Sequence, residues 1–363
     1  MSGRITGVGL IPLTLPLRRP FVTALGEKRE SRNLLVAIRL SNGIVGYGEA
    51  SASLAWAEET PSAMTKSLRK LTPTLMGAPI ESYRRLIRQG WEIAGEHPTG
   101  MAALECALLD AFTRKKGISL WRWFGGKRRS VTTALTISAW EPITAARVAN
   151  RAGAIGFRRF KIKVTGRDID EDIRRVTAVH KAAPKAALWI DANQGFTPQE
   201  AIRFSLFLRQ QKIPVQLLEQ PVRRENREGL AQVQREGGIP VVADESVRSV
   251  EEARLLIRRR GVDGVNVKLA KSGLFGALEM IRLGQRAGVR LMIGCMAESV
   301  IGLSPNVALA CGSGAFDFVD LDSHLLVVSP PCEPGFSSRG PRLSASTRRP
   351  GTGVRFPRNS SPC

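Results

Sequence analysis

Three stretches of this sequence share one pattern: residues 187–193 read ALWIDAN, residues 215–221 read VQLLEQP and residues 241–246 read VVADES. Each begins with a short apolar run and then delivers a carboxylate, at Asp191, Glu219 and Asp244. Short apolar runs of this kind are typical of buried parallel strands. Because neighbouring strands lie about 4.8 Å apart, carboxylates at equivalent strand ends can converge on one hard cation. Oxygen-only ligation favours Mg²⁺, or Mn²⁺ as a substitute.

The same pattern continues on both sides of these stretches. Successive strand candidates start about 23 to 28 residues apart, which is the length of one strand-plus-helix unit. Residues 126–329 therefore predict an α/β barrel of the TIM type, with parallel strands joined by right-handed crossovers. The other strand candidates are residues 132–137, 159–164, 264–268, 291–293 and 316–319.

Residues 1–125 have a different character and predict an α+β domain that caps the barrel. Residues 33–40 and 43–49 are strand-like and meet at Ser-Asn-Gly, a hairpin signal. Residues 10–17 are interpreted as an opening strand, and helical patterns follow at 65–75, 80–91 and 102–115. Residues 330–363 are rich in Pro, Gly, Ser and Arg; we expect part of this tail to pack on the cap and residues 355–363 to be disordered.

Composition limits the class of protein. A chain of 363 residues accommodates about two domains. Its five cysteines show no C-x-x-C spacing, which fits reduced thiols and a cytoplasmic location. No run reaches the ~18 apolar residues of a membrane helix. The net charge of +22 suggests a polyanionic partner, but the arginines are dispersed and no zinc-finger or RNP-like motif accompanies them, so nucleic acid is not expected. The oligomeric state stays open, a homo-oligomer included.

Lysines stand at two of the predicted strand ends. Lys161 and Lys163 are two residues apart on the second strand, so both face the barrel mouth. We expect their mutual repulsion and burial to lower the pKa of one amine enough for it to act as a base. Lys268 ends the sixth strand, across the barrel, while Lys271 falls in the following loop and is the less favoured candidate.

Together these residues suggest a reaction. A proton on carbon beside a carboxylate is very weakly acidic, so the enediolate left by its removal needs charge already in place. A metal-bound carboxylate supplies that charge. Lysines on opposite faces of the carbon can then remove the proton on one side and return it on the other, which inverts the carbon.

The order of motifs resembles a known family. K-x-K, D-A-N, E-Q-P, A-D-E-S, N-x-K-x-x-K-S-G and G-C-M-x-E-S follow one another between Lys161 and Ser299, with GYGEAS and a long mobile loop at 20–32 before them and P-G-x-G-V after them. This pattern is similar to the muconate cycloisomerase subgroup of the enolase superfamily. The resemblance implies a modified (β/α)7β barrel under an N-terminal cap. It also implies Asp191, Glu219 and Asp244 as metal ligands, Lys163 and Lys268 as the acid/base pair and Lys161 as an assisting cation.

The substrate class is indicated by Asp320 and Asp322, which share one face at the end of the eighth strand. Two carboxylates there suit an ammonium group. In the dipeptide epimerases, which the chain resembles, a D-x-D at this place binds the free amino terminus of the substrate. The resemblance thus implies an isomerase that epimerises the C-terminal residue of an L,L-dipeptide. An N-acylamino-acid racemase, an o-succinylbenzoate synthase and a muconate-type cycloisomerase remain alternatives, and a basic binding protein on an inactive barrel is a more remote one.

Four further residues are assigned to the site with weaker arguments. Glu298 and Ser299 end the seventh strand and are expected to contact substrate, although Glu298 could equally be a structural hydrogen-bonding residue. Asn193 is expected to support the metal shell, and Phe21 to lie in the closing loop. Relatives that accept Ala-Glu tend to carry an arginine in that loop. This chain has Ala-Leu-Gly at 24–26, so a hydrophobic or basic second residue is as plausible as a glutamyl one.

Overall fold

The computed structural model describes residues 3–357. An N-terminal antiparallel sheet domain is followed by an eight-stranded parallel barrel. The N-terminal sheet has the order β1-β2-β3, and a single 3₁₀ turn, Ile80–Ser82, lies among its helices. Its elements are β1 (Ile5–Thr23), β2 (Gly26–Leu40), β3 (Val45–Ser51), α1 (Pro61–Arg69), α2 (Thr72–Leu75), α3 (Tyr83–Ala94), α4 (Pro98–Lys115) and α5 (Leu120–Trp123).

Helix α4 lies very close to strand β3, because two glycines of the strand face it. A Cβ on Gly46 would lie 2.3 Å from the carbonyl oxygen of Ala107, and one on Gly48 would lie 2.0 Å from that of Ala103. Real Cβ atoms do not approach backbone atoms so closely, so only glycine permits this packing. In the sequence G-Y-G the two glycines lie on the same face of the strand, and this face, which has no side chains, packs against the helix.

The segment at 20–32 is not a loop as expected but a β-hairpin. Phe21 pairs with Lys28 and Thr23 with Gly26. The hairpin also contacts the barrel: the amide of Ala139 donates to the carbonyl of Val22 at 3.0 Å. The partner of the Val22 carbonyl lies more than a hundred residues away along the chain, so the local sequence gives no sign of this contact.

The barrel strands lie in the order β12-β11-β10-β9-β8-β7-β6-β5, all parallel. The amide of Ala134, just before β5, donates to Val319 of β12 at 2.9 Å and brings the two ends together. The strands are β5 (Leu135–Ile137), β6 (Arg159–Lys163), β7 (Ala187–Asp191), β8 (Val215–Glu219), β9 (Val241–Ala243), β10 (Gly264–Val267), β11 (Arg290–Gly294) and β12 (Phe318–Asp320). The predicted TIM-type fold is confirmed.

Helices alternate with these strands and cover the barrel. Thr197 and Glu200 form a capping box at the start of one of them, and Ser249 and Glu252 do the same at another, which satisfies the free amides of the first turn. The helices are α6 (Pro142–Ala154), α7 (Ile169–Ala182), α8 (Pro198–Gln210), α9 (Arg227–Glu236), α10 (Val250–Arg258), α11 (Leu269–Ala287), α12 (Val300–Ser313) and α13 (Ser323–Leu326).

The barrel interior is filled by one apolar layer, directly beneath the strand ends. Trp189, Leu217 and Val242 each precede one of the three carboxylates by two residues, so they share its inward face. Together with Ala134, Met292 and Phe318 they form a buried cluster. This layer closes the barrel from below, so polar side chains above it meet in a shallow, enclosed space.

The tail adds a small sheet and then contacts the N-terminal domain. Strand β13 (Phe336–Arg339) pairs with β14 (Arg342–Ala345), and β14 pairs in turn with β4 (Ser130–Thr132), which precedes the barrel. Val354 packs with Leu35, Ala37, Tyr47 and Ile301. The amide of Arg355 donates to Glu333 at 3.1 Å. Disorder was predicted from Arg355 onward, but Arg355 is held by this antiparallel pairing with Glu333. Residues 358–363, the last part of that segment, lie outside the described residues.

Candidate active site

The three carboxylates occupy equivalent ends of adjacent strands. Asp191 and Glu219 are the last residues of β7 and β8 and pair in register. Asp244 follows β9 directly. Lys163, the last residue of β6, pairs with Asp191 on the other side. All four side chains are buried above the apolar layer.

Lys161 lies among the carboxylates. Its Nζ is 2.9 Å from Asp191 Oδ2, 2.8 Å from Glu219 Oε2 and 2.7 Å from Asp320 Oδ2. An ammonium at that place offsets part of the cost of burying the carboxylates around it.

The two lysines of the predicted acid/base pair contact different carboxylates. Lys163 Nζ is 2.5 Å from Asp191 Oδ2 and 2.9 Å from Asn193 Oδ1. Lys268 Nζ is 2.6 Å from Asp244 Oδ2. Strands β6 and β10, which bring these lysines to the mouth, are four positions apart in the eight-stranded order. The two amines therefore approach the carboxylate cluster from opposite sides of the barrel.

The pKa of Lys161 differs from the sequence-based expectation, and Lys268 shows the same effect. Burial lowers the pKa of Lys161, but Asp191, Asp320 and Glu219 raise it more, so the net pKa is well above the usual value. Burial likewise lowers the pKa of Lys268, and Asp244 more than restores it. The expectation of a lowered pKa counted the neighbouring lysine and burial but not the carboxylates that surround each amine.

The carboxylates respond in different directions. Burial raises the pKa of Asp191, but Lys161 and Lys163 overcome this and lower it to about 2. Asp244 is lowered too, because Lys268 and Lys271 outweigh its burial. Burial and the charge of Asp191 raise the pKa of Glu219 to about 8. Glu219 is thus the carboxylate of this cluster whose negative charge the lysines compensate least.

The three carboxylates form a donor set that fits a hard divalent cation, although in this structure they are paired with lysines. Among residues 3–357, no three acidic, histidine or cysteine side chains are arranged around a metal position, since Lys161 Nζ lies between the carboxylates. Glu219 Oε2 is buried and receives no hydrogen bond within those residues; its 2.8 Å contact with Lys161 is ionic only. Three buried carboxylates, one with an unsatisfied oxygen, are the ligand chemistry of Mg²⁺.

A cavity of about 600 Å³ opens above this cluster. Part of its wall comes from the N-terminal domain, where Leu25, Leu54 and Trp56 are apolar and Lys28 is cationic. Burial lowers the pKa of Lys28 to about 8, and its amine donates to the carbonyl of Ala52 at 2.7 Å. The predicted site residues that line the cavity are Phe21, Lys161, Lys163, Asn193, Asp244, Lys268, Asp320 and Asp322.

Phe21 connects the hairpin to the lysines. The Nζ of Lys163 lies 5.7 Å from the centre of the Phe21 ring, within cation–π range. The hairpin thereby covers the end of the second barrel strand.

Asp320 and Asp322 lie at the cavity wall, with Thr136 beside both. The Thr136 amide donates to Asp322 Oδ2 at 2.5 Å, and its hydroxyl lies 3.2 Å from Asp320 Oδ1. Burial and the charge of Asp320 raise the pKa of Asp322 to about 7. A second positive charge close to this pair would stabilise the ionised form of Asp322.

The structure does not bring Glu298 and Ser299 to the cavity wall. Glu298 accepts hydrogen bonds from the Met296 amide at 3.1 Å and from Asn306 Nδ2 at 3.0 Å. Ser299 donates its hydroxyl to Glu49 of β3. Glu298 thus turns toward the backbone of its own loop and toward α12, while Ser299 turns toward β3, which explains their position behind the wall.

Sequence reasoning missed several polar residues around the cluster. Asn266 donates to Glu219 Oε1 at 2.8 Å, and Glu245 accepts from Asn193 at 3.0 Å. Lys271, the less favoured lysine, lies 2.8 Å from Asp244 Oδ1. The spacing of Asn266 and Lys268, two residues apart on one strand face, could have identified the first of these. Glu245 lies in a turn after β9, and the sequence has no comparable signal for it. Lys271 was expected in a loop, but it lies in the first turn of α11, which directs its amine to Asp244.

Comparison with known proteins agrees with this fold. The chain matches the model of the mandelate racemase/muconate lactonizing enzyme N-terminal domain at residues 6–125 and that of the enolase C-terminal domain-like family at residues 144–360. Within residues 3–357, no helix has both the length and the apolar composition needed to span a membrane.

Its relatives include enzymes acting on dipeptides. An aromatic dipeptide epimerase of Herpetosiphon aurantiacus is 36% identical over 94% of this chain and 96% of its own length. An L-Ala-D/L-Glu epimerase of Thermotoga maritima is 36% identical over 94% of this chain and 98% of its own length. The crystal structure of a dipeptide epimerase from Enterococcus faecalis V583, complexed with Mg and L-Leu-L-Tyr, has a TM-score of 0.92 at 29% identity and covers 98% of this chain and 100% of that chain. The chain belongs to the mandelate racemase/muconate lactonizing enzyme family of the enolase superfamily.

Proposed function

We propose that this protein is a Mg²⁺-dependent dipeptide epimerase that inverts the α-carbon of the C-terminal residue of an L,L-dipeptide. The observation that carries the proposal is the placement of Lys163 and Lys268 on opposite sides of one carboxylate cluster. Each amine lies within 2.6 Å of a different acid of that cluster. Two amines in this arrangement can serve the two faces of one carbon.

Asp191, Glu219 and Asp244 are the proposed holders of the cation. Bound there, Mg²⁺ would stabilise the negative charge that develops on the substrate carboxylate when the α-proton leaves. Lys161, which contacts two of these acids, adds a fixed positive charge beside the same carboxylate. Asn193 and Asn266 orient Lys163 and Glu219 through their amide groups.

The proton is carried by the two opposed lysines. A neutral amine of one lysine takes the α-proton and becomes an ammonium, while the ammonium of the other donates a proton to the opposite face of the same carbon. One proton is removed and one returned, so the substrate changes only its configuration. In the reverse direction the two lysines exchange roles.

Asp320 and Asp322 are proposed to bind the amino terminus of the dipeptide. Both line the cavity, so an ammonium bound beside them would form charge-assisted hydrogen bonds with their carboxylates. A substrate whose amine is acylated would leave this acidic pair unpaired. The pair therefore favours a dipeptide over an N-acylamino acid.

Hydrogen exchange at the α-carbon tests the proposal directly. In D₂O with Mg²⁺, the wild-type protein should incorporate deuterium at the α-carbon of the C-terminal residue of some members of a dipeptide library, read by mass spectrometry. Lys163→Ala and Lys268→Ala should each abolish epimerisation, with losses of at least about 10³-fold. A wild-type protein that exchanges no dipeptide would exclude the proposed function, and either lysine variant with near-normal turnover would exclude its mechanism.

A further inference from the structure

We propose that Glu105, a buried residue of the N-terminal domain, is a positioning residue for the loop that carries Lys268. It would act by capping the barrel helix that follows this loop. This inference rests on the proposed function, because it assigns the helix cap a consequence for one of the two proton-transfer steps.

Helix α11 is interrupted at its start. Gly273 has φ 67° and ψ −176°, which is not helical. The continuous helix therefore begins after this residue, and its first amides have no partner within the helix. The segment between β10 and this point, residues 268–273, contains both Lys268 and Lys271.

Glu105 supplies the missing acceptor from another domain. Its Oε2 accepts hydrogen bonds from the amides of Leu274 at 2.6 Å and Phe275 at 3.2 Å. Its Oε1 accepts from the indole of Trp91. The residue lies in the middle of α4 and is fully buried. A carboxylate at a helix N-terminus is favoured by both the free amides and the helix dipole.

Gly273 shows how closely the carboxylate approaches. A Cβ on this residue would lie 2.5 Å from Glu105 Oε1 and 2.7 Å from Oε2. The loop is therefore held between Glu105 on one side and Asp244 on the other, where Lys268 Nζ and Lys271 Nζ lie at 2.6 Å and 2.8 Å. A shift of the start of the continuous helix would therefore also move residues 268–273, which carry the two lysines.

A second glutamate offers a matched comparison on the next helix. Glu49 of β3 accepts hydrogen bonds from the amides of Ser299 at 2.9 Å and Gly302 at 3.0 Å, at the start of α12. The segment before this helix contains Met296 and Ala297, which line the cavity, but none of the lysines. Removing each cap should therefore affect different properties of the enzyme.

The discriminating measurement is deuterium uptake from each epimer separately. One lysine removes the α-proton of the L,L epimer and the other that of the L,D epimer, and Lys268→Ala identifies the epimer that depends on Lys268. In Glu105→Gln, the exchange rate should fall for both epimers, and the factor of loss should be about ten times larger for that epimer than for the other. The reason is that a small misplacement of a reacting group lowers the rate strongly. Rates are referred to folded protein, measured by circular dichroism.

A rescue variant separates positioning from general damage. In Glu105→Gln the remaining side-chain oxygen can accept from the Leu274 and Phe275 amides, but the new amide nitrogen would then face the Trp91 indole nitrogen. Both nitrogens are donors, so no hydrogen bond can form between them. Trp91→Phe removes that donor, and the double variant should recover most of the lost exchange. If Glu105→Gln does not fold, Glu105→Asp, which withdraws the carboxylate from the Leu274 amide, should show the same asymmetry.

Glu49→Gln should slow both epimers to a similar degree and mainly raise KM. Equal slowing of both epimers by the Glu105 variants, or the same asymmetry in Glu49→Gln, would overturn the inference. Neither result would affect the proposed function, since that fails only if the wild-type protein exchanges no dipeptide.

Discussion

Asp322 is the residue at which the proposed substrate class can be tested most directly. Replacing it by Asn removes one charge from the pair proposed to bind the amino terminus, while the amide can still accept the Thr136 hydrogen bond. A charge-assisted hydrogen bond contributes about 1.5–3 kcal/mol, so KM for dipeptides should rise about tenfold to a hundredfold. Steady-state kinetics with the best dipeptide of the library measures this. Glu333→Gln, which removes an acid in the tail paired with Arg349, is the control and should leave KM unchanged.

The same residue predicts a pH dependence. Burial and Asp320 raise the pKa of Asp322 to about 7. Below that pH a growing share of Asp322 is protonated and cannot attract an ammonium, so KM should rise as the pH falls from about 8 to about 6. Asp322→Asn has no carboxyl to titrate at this position, so its KM should depend less steeply on pH over this range than the wild-type KM. A wild-type KM independent of pH would contradict the role given to Asp322.

For single residues, the sequence predicted which side chains stand at strand ends, but not which side chains pair across distant elements. Asp191 and Glu219 could be predicted because an apolar run fixes where a strand ends and which face each residue takes. Glu105 and Glu49 could not, because they stand inside a helix and a strand, and the amides they accept lie more than 150 residues away. The raised pKa of Lys268 was missed for the same reason: its cause is Asp244 on a different strand.

Among the elements, the contact between β3 and α4 is the most restrictive. A Cβ on Gly48 would lie 2.0 Å from the carbonyl oxygen of Ala103, so Gly48→Ala must push the helix away from the strand. Overpacking of this kind costs about 1–3 kcal/mol, and the free energy of unfolding measured by urea denaturation should fall by that amount. Gly153→Ala is the matched control, because a Cβ there meets no atom within 4 Å and alanine favours helix α6 by about 0.5–1 kcal/mol. Equal stability of the two variants would show that α4 can move without cost.

The elements themselves were predicted unevenly, for a physical reason. The eight barrel strands are short apolar runs with a regular spacing, and each lies where the pattern predicted a strand. The hairpin formed by the ends of β1 and β2 was expected to be a mobile loop, because the family resemblance implied one there. Its order comes from backbone pairing and from contacts such as Trp140 Nε1 with the Pro20 carbonyl at 3.0 Å. Long-range pairing of this type leaves no periodicity in the sequence.

For the whole molecule, the net charge of +22 sets an electrostatic cost. Like charges repel one another more strongly in the folded state, where they are closer together, than in the unfolded chain. Opposing this, the described residues contain exposed ion pairs such as Lys70 with Glu96 and Arg282 with Glu279, but each such pair contributes only about 0–1 kcal/mol. Salt screens both effects, so its net influence on stability shows which of them is larger.

We expect repulsion to be larger and salt therefore to stabilise the protein. Raising NaCl from about 10 mM to about 150 mM shortens the screening length from about 30 Å to about 8 Å, and Tm from a thermal scan at pH 7 should rise by about 2–4 °C. Replacing Arg258 and Arg259, both exposed, by Gln lowers the net charge from +22 to +20 (22 − 2) and should make this rise smaller. A Tm that falls with salt would mean that ion pairs, not repulsion, dominate the surface. The positive side chains would then, through their ion pairs, make a net favourable contribution to the free energy of folding, rather than an unfavourable one that the barrel core must offset.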